Sequence, residues 1–172
     1  MANLPPWGAS QPCIGNNPLV IGVPRERGSL VLDMAMSQFS YGALESYRKR
    51  GELLPVDGGF DTEGNLSRDA GAIEASQRLL PAGYWKGSGL AVVLDAMAAL
   101  LSLGKATHQI EPDSMRETAL SQVFVAINPH CLGSDGGDVT DGIVESLHRC
   151  APEGVARYPG ERTVQIREEN RR

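Results

Sequence analysis

The most informative stretch of the chain is LVIGVPRERGSLVLDM, residues 19–34. Asn17 and Pro18 form a turn before Leu19–Val23, and Pro24 ends that apolar run, so residues 19–23 are predicted to form a strand. A polar turn, Arg25–Gly28, leads to a second apolar run, Leu30–Met34. Because so short a connection favours antiparallel pairing, we predict a two-stranded hairpin.

Outside the hairpin, helices and one further strand are predicted. Apolar residues recur every three positions from Tyr41 to Arg50, which predicts a helix ended by Gly51. Leu53–Pro81 is irregular, with a short helix expected near 72–80. Gly87–Leu103 is apolar around nearly its whole circumference, which predicts a central helix buried on most sides. A third strand over Ser121–Ile127 and a helix over 138–148 complete an α+β (mixed α/β) fold with a mostly antiparallel, mixed sheet and packed helices.

Composition narrows the class of protein. The 172 residues suffice for one domain, and 41% are hydrophobic and 22% charged, as in soluble globular proteins. A net charge of −5 argues against nucleic-acid binding. Three widely spaced cysteines suit a reducing compartment, and the apolar run Leu90–Leu103, interrupted by Asp95, is too short for a membrane span. We therefore expect a cytoplasmic protein without membrane partners.

Familiar nucleotide-binding motifs are absent, but one segment suggests an anion or nucleotide site. No G-x-G-x-x-G follows a strand, and no P-loop occurs. Gly87-Ser88-Gly89 follows Lys86 and begins a predicted helix, and the free N–H groups at the start of a helix attract phosphate. The alternative interpretation is that these small residues allow close packing. Trp85 beside Lys86 is a candidate to stack on a nicotinamide or adenine ring, or else a core residue.

Other candidate sites are weaker. His130-Cys131 and His148 with Cys150 have poor spacing for one ion, so no metal site is expected. A hydrolase site built from Ser37, Ser40, Asp57 and Asp61 lacks a nucleophile elbow. Asp33 interrupts an apolar strand predicted to be buried, which indicates either a buried partner or contact with a ligand, with neither favoured.

An ordered series of segments resembles a known family. It comprises Pro5–Ala9, Ile14–Leu19, Asp33–Met34, Met36–Ser37, Phe39–Gly42, Leu54–Asp61, Glu63–Leu66, Leu80–Gly89 and Ser121–Phe124. Together they resemble the malate/L-lactate/sulfolactate dehydrogenase superfamily, which lacks a Rossmann fold, and within it the reductases of 2,3-diketo sugar acids. The resemblance runs from Leu4 to about Gly160.

The resemblance implies an enzyme that reduces a 2-keto or 2,3-diketo acid with NADH or NADPH and works as a homodimer. It assigns residues 1–130 to the NAD(P)-binding domain and 131–172 to a segment that returns to the other domain. Three stretches carry over as cofactor contacts, although the family has a histidine where Glu161 stands. The residues are Ser29, Leu30, Val31, Leu32, Asp33, Met34 and Ala35; Trp85 and Lys86; and Gly160, Glu161 and Arg162.

The family's proton donor is a histidine in a Ser-His-Gly segment near the N-terminus, followed by an arginine. This chain contains no such segment and resembles the family from about its midpoint, so no catalytic residue is assigned within it. We expect a C-terminal fragment that is inactive on its own. The alternative is a truncated remnant that serves at most as a cofactor-binding or dimerising module.

Overall fold

A computed structural model describes residues 2–111, 119–133, 137–152 and 154–171. Its elements are β1 (Leu19–Val23), β2 (Leu30–Met34), α1 (Tyr41–Arg50), β3 (Gly59–Phe60), β4 (Leu66–Ser67), α2 (Ala70–Ser76), α3 (Trp85–Ser102), α4 (Gly137–Arg149) and α5 (Glu161–Glu169). The chain divides into two compact units. The first unit is Met1–Pro18 with Ala35–Phe124, and the second is Leu19–Met34 with Val125–Arg172. The family's domain division at residue 130 stays a prediction.

The second unit contains the predicted hairpin. Strands β1 and β2 pair antiparallel, with Leu19 opposite Met34 and Val23 opposite Leu30, so this prediction is confirmed. Along β2, exposure alternates: Leu30, Leu32 and Met34 are half-buried, and Val31 and Asp33 are exposed. The period of two is that of a strand with one covered face and one open face. Helices α4 and α5 belong to the same unit.

The first unit has an aliphatic core beneath short elements. Helix α1 begins where the Ser40 side chain accepts a hydrogen bond from the Ala43 N–H, and it ends at Gly51 in the left-handed conformation, as predicted. The irregular stretch after it contains the β3–β4 pair and α2. Fully buried side chains from these segments and from the residues before α1 form the core: Leu4, Met36, Leu44, Leu54, Ile73, Leu79 and Leu80.

Helix α3 has nearly its predicted bounds, but the prediction that it is buried on most sides is wrong. Only Gly87, Ser88 and Ala91 are buried, whereas Leu100 is 74% exposed. The helix packs through small residues, and the described part of the chain leaves its large aliphatic side chains uncovered. Of the described helices, α3 is the one whose length and composition alone would allow a membrane crossing.

The strand predicted over Ser121–Ile127 is also wrong. This segment has no strand pairing, and its large side chains face solvent, with Phe124 at 88% and Ile127 at 72% exposure. A strand needs a neighbouring strand to satisfy its backbone, and no described residue provides one here. With two antiparallel strand pairs and five α-helices in the described residues, the fold is mixed α/β, as predicted.

Candidate functional site

Two of the three predicted cofactor stretches meet in the second unit. The Val31 N–H, on the outer edge of β2, donates a 2.8 Å hydrogen bond to the carbonyl of Pro159. Gly160 follows with φ 90°, and a Cβ built on it would lie 3.3 Å from the Val31 nitrogen. The β2 edge and the 160–162 turn are therefore in backbone contact, although about 130 residues separate them in sequence.

Glu161 fixes the turn that carries Gly160. Its carboxylate accepts a 3.1 Å hydrogen bond from the Tyr158 N–H, and its own N–H donates to the Tyr158 carbonyl, also at 3.1 Å. The same carboxylate lies 3.0 Å from His148 Nε2 on α4. Glu161 is only 12% exposed, so these groups hold it in one position at the start of α5. Arg162, the next residue, is exposed.

A charged cluster behind the turn joins it to the hairpin loop. Arg25, between β1 and β2, bonds the Asp141 carboxylate of α4 and lies 5.6 Å from the centre of the Tyr158 ring. The bond to Asp141 raises the pKa of the guanidinium above its ordinary value. Arg25, Asp141, Tyr158 and His148 line a cavity of about 320 Å³ with Glu161. The cluster cross-links the hairpin loop, α4 and the Gly160 turn.

Sequence reasoning did not identify this cluster. The sequence indicates His148 only as a weak metal-ligand candidate, whereas the structure pairs it with Glu161. Arg25 was assigned to a polar turn, with no partner anticipated. Its spacing from Asp141 is 116 positions, so no local pattern could have linked the two residues.

Asp33 lies on the open face of the hairpin, so the prediction of a buried strand carboxylate is wrong. It shares that face with Val31 and stands opposite Val20, which is 61% exposed. The physical reason is that β2 is covered on one face only, and Asp33 occupies the other. An exposed carboxylate between apolar side chains needs no buried partner and is free to contact a ligand.

Trp85 and Lys86, the remaining predicted stretch, begin α3 in the first unit. Trp85 is 66% exposed, which excludes a core role in this chain, and Lys86 Nζ lies 6.0 Å from the centre of its ring. Before them, Tyr84 has φ 59° and packs edge-on against Trp7, with ring centres 5.0 Å apart. The turn at Gly83 and Tyr84 thus presents the indole and the ammonium group together to solvent.

The N–H groups at the start of α3 are not free, contrary to the anion-site interpretation. The Lys86 N–H donates to the Gly83 carbonyl at 3.2 Å, and the Gly87 N–H donates to the Ala82 carbonyl at 2.8 Å. A Cβ on Gly87 would lie 2.4 Å from the Ala82 oxygen. This glycine therefore serves close packing, and any attraction for an anion comes from the Lys86 side chain.

Three of the residues considered for a hydrolase site make structural hydrogen bonds, and the candidate metal ligands do not cluster in the described residues. Ser40 caps α1, and Ser37 Oγ donates to the Phe39 carbonyl. Asp61 accepts hydrogen bonds from the N–H groups of Glu63 and Asn65; the Asn65 bond is the main cause of its lowered pKa. Across the ranges that the structure describes, no three candidate metal ligands come together.

Comparison with known proteins agrees with this architecture. The profile of the malate/L-lactate dehydrogenase family matches residues 1–172. The 2,3-diketo-L-gulonate reductase of Klebsiella pneumoniae (strain 342) is 45% identical over 177 residues, covering 100% of this chain and 53% of that protein. Its counterpart in Escherichia coli (strain K12 / DH10B) is 44% identical over 179 residues, with the same coverage. The chain thus spans about half the length of these curated relatives.

Solved structures show the same fold. The Δ1-piperideine-2-carboxylate reductase of Pseudomonas syringae superposes with a TM-score of 0.76 at 29% identity, over 99% of this chain and 53% of that one. Sulfolactate dehydrogenase from Methanocaldococcus jannaschii has a TM-score of 0.79 at 22% identity, over 99% and 50% of the two chains. The chain is therefore a member of the malate/L-lactate dehydrogenase family.

Proposed function

We propose that this chain forms the cofactor-binding part of an NAD(P)H-dependent oxidoreductase that reduces a 2-keto or 2,3-diketo sugar acid. The observation that carries the proposal is the contact of Val31 with Pro159 and Gly160. The family resemblance identifies residues 29–35 and 160–162 as cofactor contacts without reference to the structure. In the structure these two stretches lie side by side. Family membership and the reductases among the relatives support the same class of reaction.

The residues present fit a nicotinamide dinucleotide. Val20 and Val31 offer an open apolar strand face, and Gly160 lets the turn approach β2 without a side chain. Trp85 and Lys86 offer an aromatic ring and a cation, which suit a base and a phosphate respectively. When bound, a reduced nicotinamide supplies the hydride that reduces a keto carbonyl, while an acid protonates the alkoxide oxygen.

Asp33 is proposed to favour NADH over NADPH. Its carboxylate is exposed on the open face of the hairpin, next to Val31. A carboxylate accepts hydrogen bonds from ribose hydroxyls and repels a 2′-phosphate, since both groups are anionic. Asp33→Asn is therefore expected to weaken NADH binding and to narrow the preference between the two cofactors. An unchanged ratio of the two dissociation constants would exclude Asp33 from this role.

No catalytic acid is assigned among the 172 residues, which contain no Ser-His-Gly segment. A missing general acid typically costs about 10²- to 10⁴-fold in rate, and lost substrate positioning adds to this. We propose that the chain alone has no reductase activity. The second candidate function, a cofactor-binding or dimerising module without turnover, is favoured by the same absence. Cytoplasmic location and homodimerisation remain part of the proposal.

Two measurements test the proposed function. Titration of the purified chain with NADH, followed by the fluorescence of the cofactor, should show saturable binding that weakens in Trp85→Ala. Trp7→Phe is the control, since it removes the other tryptophan and keeps a ring against Tyr84. Robust turnover of 2,3-diketo-L-gulonate by the 172-residue chain would overturn the expected inactivity, and an affinity unaffected by Trp85→Ala would remove that residue from the site.

A further inference from the structure

One side of helix α3 exposes a continuous row of large aliphatic side chains. Leu90, Val93, Met97, Leu100 and Leu101 follow one another at intervals that place them on one side of an α-helix. Their exposed fractions run from 37% at Leu90 to 74% at Leu100. We call these five residues the α3 stripe. A spacing of i, i+3, i+7, i+10 is the pattern by which helices pack on one another.

The orientation of α3 is set by contacts on its other side. Gly87, Ser88 and Ala91 are buried there, and the Ser88 hydroxyl accepts a 3.1 Å hydrogen bond from the Trp7 N–H. On the same side, the Asp95 carboxylate accepts hydrogen bonds from the N–H and the hydroxyl of Thr107, at 3.0 and 2.9 Å. These polar and close contacts hold the helix against the first unit, so the stripe faces outward as a result of specific packing.

We propose that the α3 stripe is the docking surface for the part of the family fold that lies outside the region matched by this chain. The chain covers 53% of the Klebsiella reductase and 53% of the Pseudomonas reductase structure. A TM-score of 0.76 over 99% of the chain means that this half keeps its fold in the longer protein. The relatives therefore contain a comparable length of polypeptide outside the matched region, which is the partner that the proposal assigns to the stripe.

A polypeptide partner accounts for the stripe better than a bilayer does. The side of α3 away from the stripe carries the buried residues Gly87, Ser88 and Ala91 and the Asp95 carboxylate, which is hydrogen-bonded to Thr107. A carboxylate in the middle of a bilayer is costly, whereas the Asp95 carboxylate is already satisfied within the first unit and leaves only the stripe to be covered by polypeptide. The proposal rests on family membership and on the packing of α3, and it is independent of cofactor binding.

Co-expression tests the proposal directly. The chain would be produced together with a tagged polypeptide comprising the remainder of the Klebsiella reductase, and the complex measured by affinity capture and light scattering. We expect a complex that contains equal numbers of the two polypeptides. Leu100→Glu, in the stripe, should weaken it by about tenfold or more, because a charge would be buried in an apolar contact. Val92→Glu is the matched control: Val92 is on the same helix, 50% exposed and outside the stripe, and should change affinity by less than about twofold.

Cysteine labelling locates the contact without relying on affinity. The three exposed native cysteines, Cys13, Cys131 and Cys150, are first replaced by serine so that maleimide reports on one position. On that background, labelling of Leu100→Cys should slow on co-expression with the remainder, whereas labelling of Val92→Cys should not. The proposal is overturned if no complex forms, or if the glutamate variants at 92 and 100 behave alike. Two results with the chain alone would equally overturn it: formation of a dimer, or binding to vesicles of neutral and anionic phospholipid. Either result counts against the proposal if Leu100→Glu abolishes that association and added remainder does not reduce it.

Discussion

Replacing Gly160 by alanine tests the contact on which the cofactor site is built. Gly160 has φ 90°, in the left-handed region, and its new Cβ would lie 3.3 Å from the Val31 nitrogen and 3.4 Å from the Val31 Cβ. Alanine therefore adds backbone strain and pushes the turn away from β2. Gly133→Ala is the control in the same unit, because Gly133 has φ 75° and nothing within 4 Å of its added Cβ.

The two variants should differ in stability and in NADH affinity. A side chain in the left-handed region costs about 1–2 kcal/mol, which both variants bear. Gly160→Ala adds a tight contact with backbone, for which we expect roughly 1 kcal/mol more, within the range for small-to-large substitutions. If the hairpin and turn form one binding surface, separating them should raise the Kd for NADH about tenfold, equivalent to about 1.4 kcal/mol.

Urea unfolding followed by circular dichroism measures the first quantity, and titration with NADH measures the second. Gly133→Ala should lower the free energy of unfolding and leave the Kd close to that of the parent chain. Equal loss of stability in the two variants, with the Kd unchanged in both, would refute the argument. That result would mean that the contact between Val31 and Gly160 neither strains the turn nor contributes to the binding surface.

Three further substitutions test the core, the charged cluster and one turn. Leu54→Ala should lower the free energy of unfolding by about 2–5 kcal/mol because Leu54 is fully buried, whereas Leu53→Ala, at a position 62% exposed, should change it by less than about 0.5 kcal/mol in urea unfolding. Glu161→Ala should cost about 1–3 kcal/mol in the same assay because it leaves the N–H of the buried Tyr158 without its side-chain acceptor. Glu145→Ala, which removes one exposed pair at 3.9 Å, should cost under about 1 kcal/mol, and equal losses would argue against a positioning role for Glu161. The pKa of Asp61 is lowered in the folded chain, so its carboxylate stabilises the fold above the unfolded pKa of about 3.9, and this contribution is lost as the pH falls through the folded value. The Asp61→Asn variant should therefore have a lower free energy of unfolding than the parent at pH 7, and the difference should shrink as the pH falls. A difference in the free energy of unfolding that stays constant with pH would contradict this.

Elements governed by local chemistry could be predicted from the sequence. The β1–β2 hairpin follows from two apolar runs with prolines and a polar turn at their ends, and α1 ends at Gly51 because glycine accepts a positive φ. Helix α3 was predicted from Gly87 and begins two residues earlier, at Trp85, directly after the turn at Gly83 and Tyr84. In each case the deciding residues lie within a few positions of one another.

Features that depend on distant partners could not be predicted. The apolar run within residues 121–127 indicates a strand, but strand pairing needs an edge that the described residues do not supply. The composition of α3 predicts burial, but its exposure depends on what covers it. Asp33 was expected to be buried because the sequence does not show that β2 is covered on one face only. The cluster around Arg25 joins residues more than 100 positions apart.

Hydrogen–deuterium exchange with and without NADH tests the central claim most directly. If the proposed cofactor contacts are correct, saturating NADH should slow exchange in peptides that cover residues 29–35 and 160–162, at the contact between the hairpin and the Gly160 turn. Peptides that cover residues 85–86, in the first unit, should also be protected, which tests the Trp85 and Lys86 contacts separately. Peptides from α1 and α2 should exchange at unchanged rates. Saturable binding with protection confined to other segments, or the absence of any protection at saturating NADH, would contradict the account.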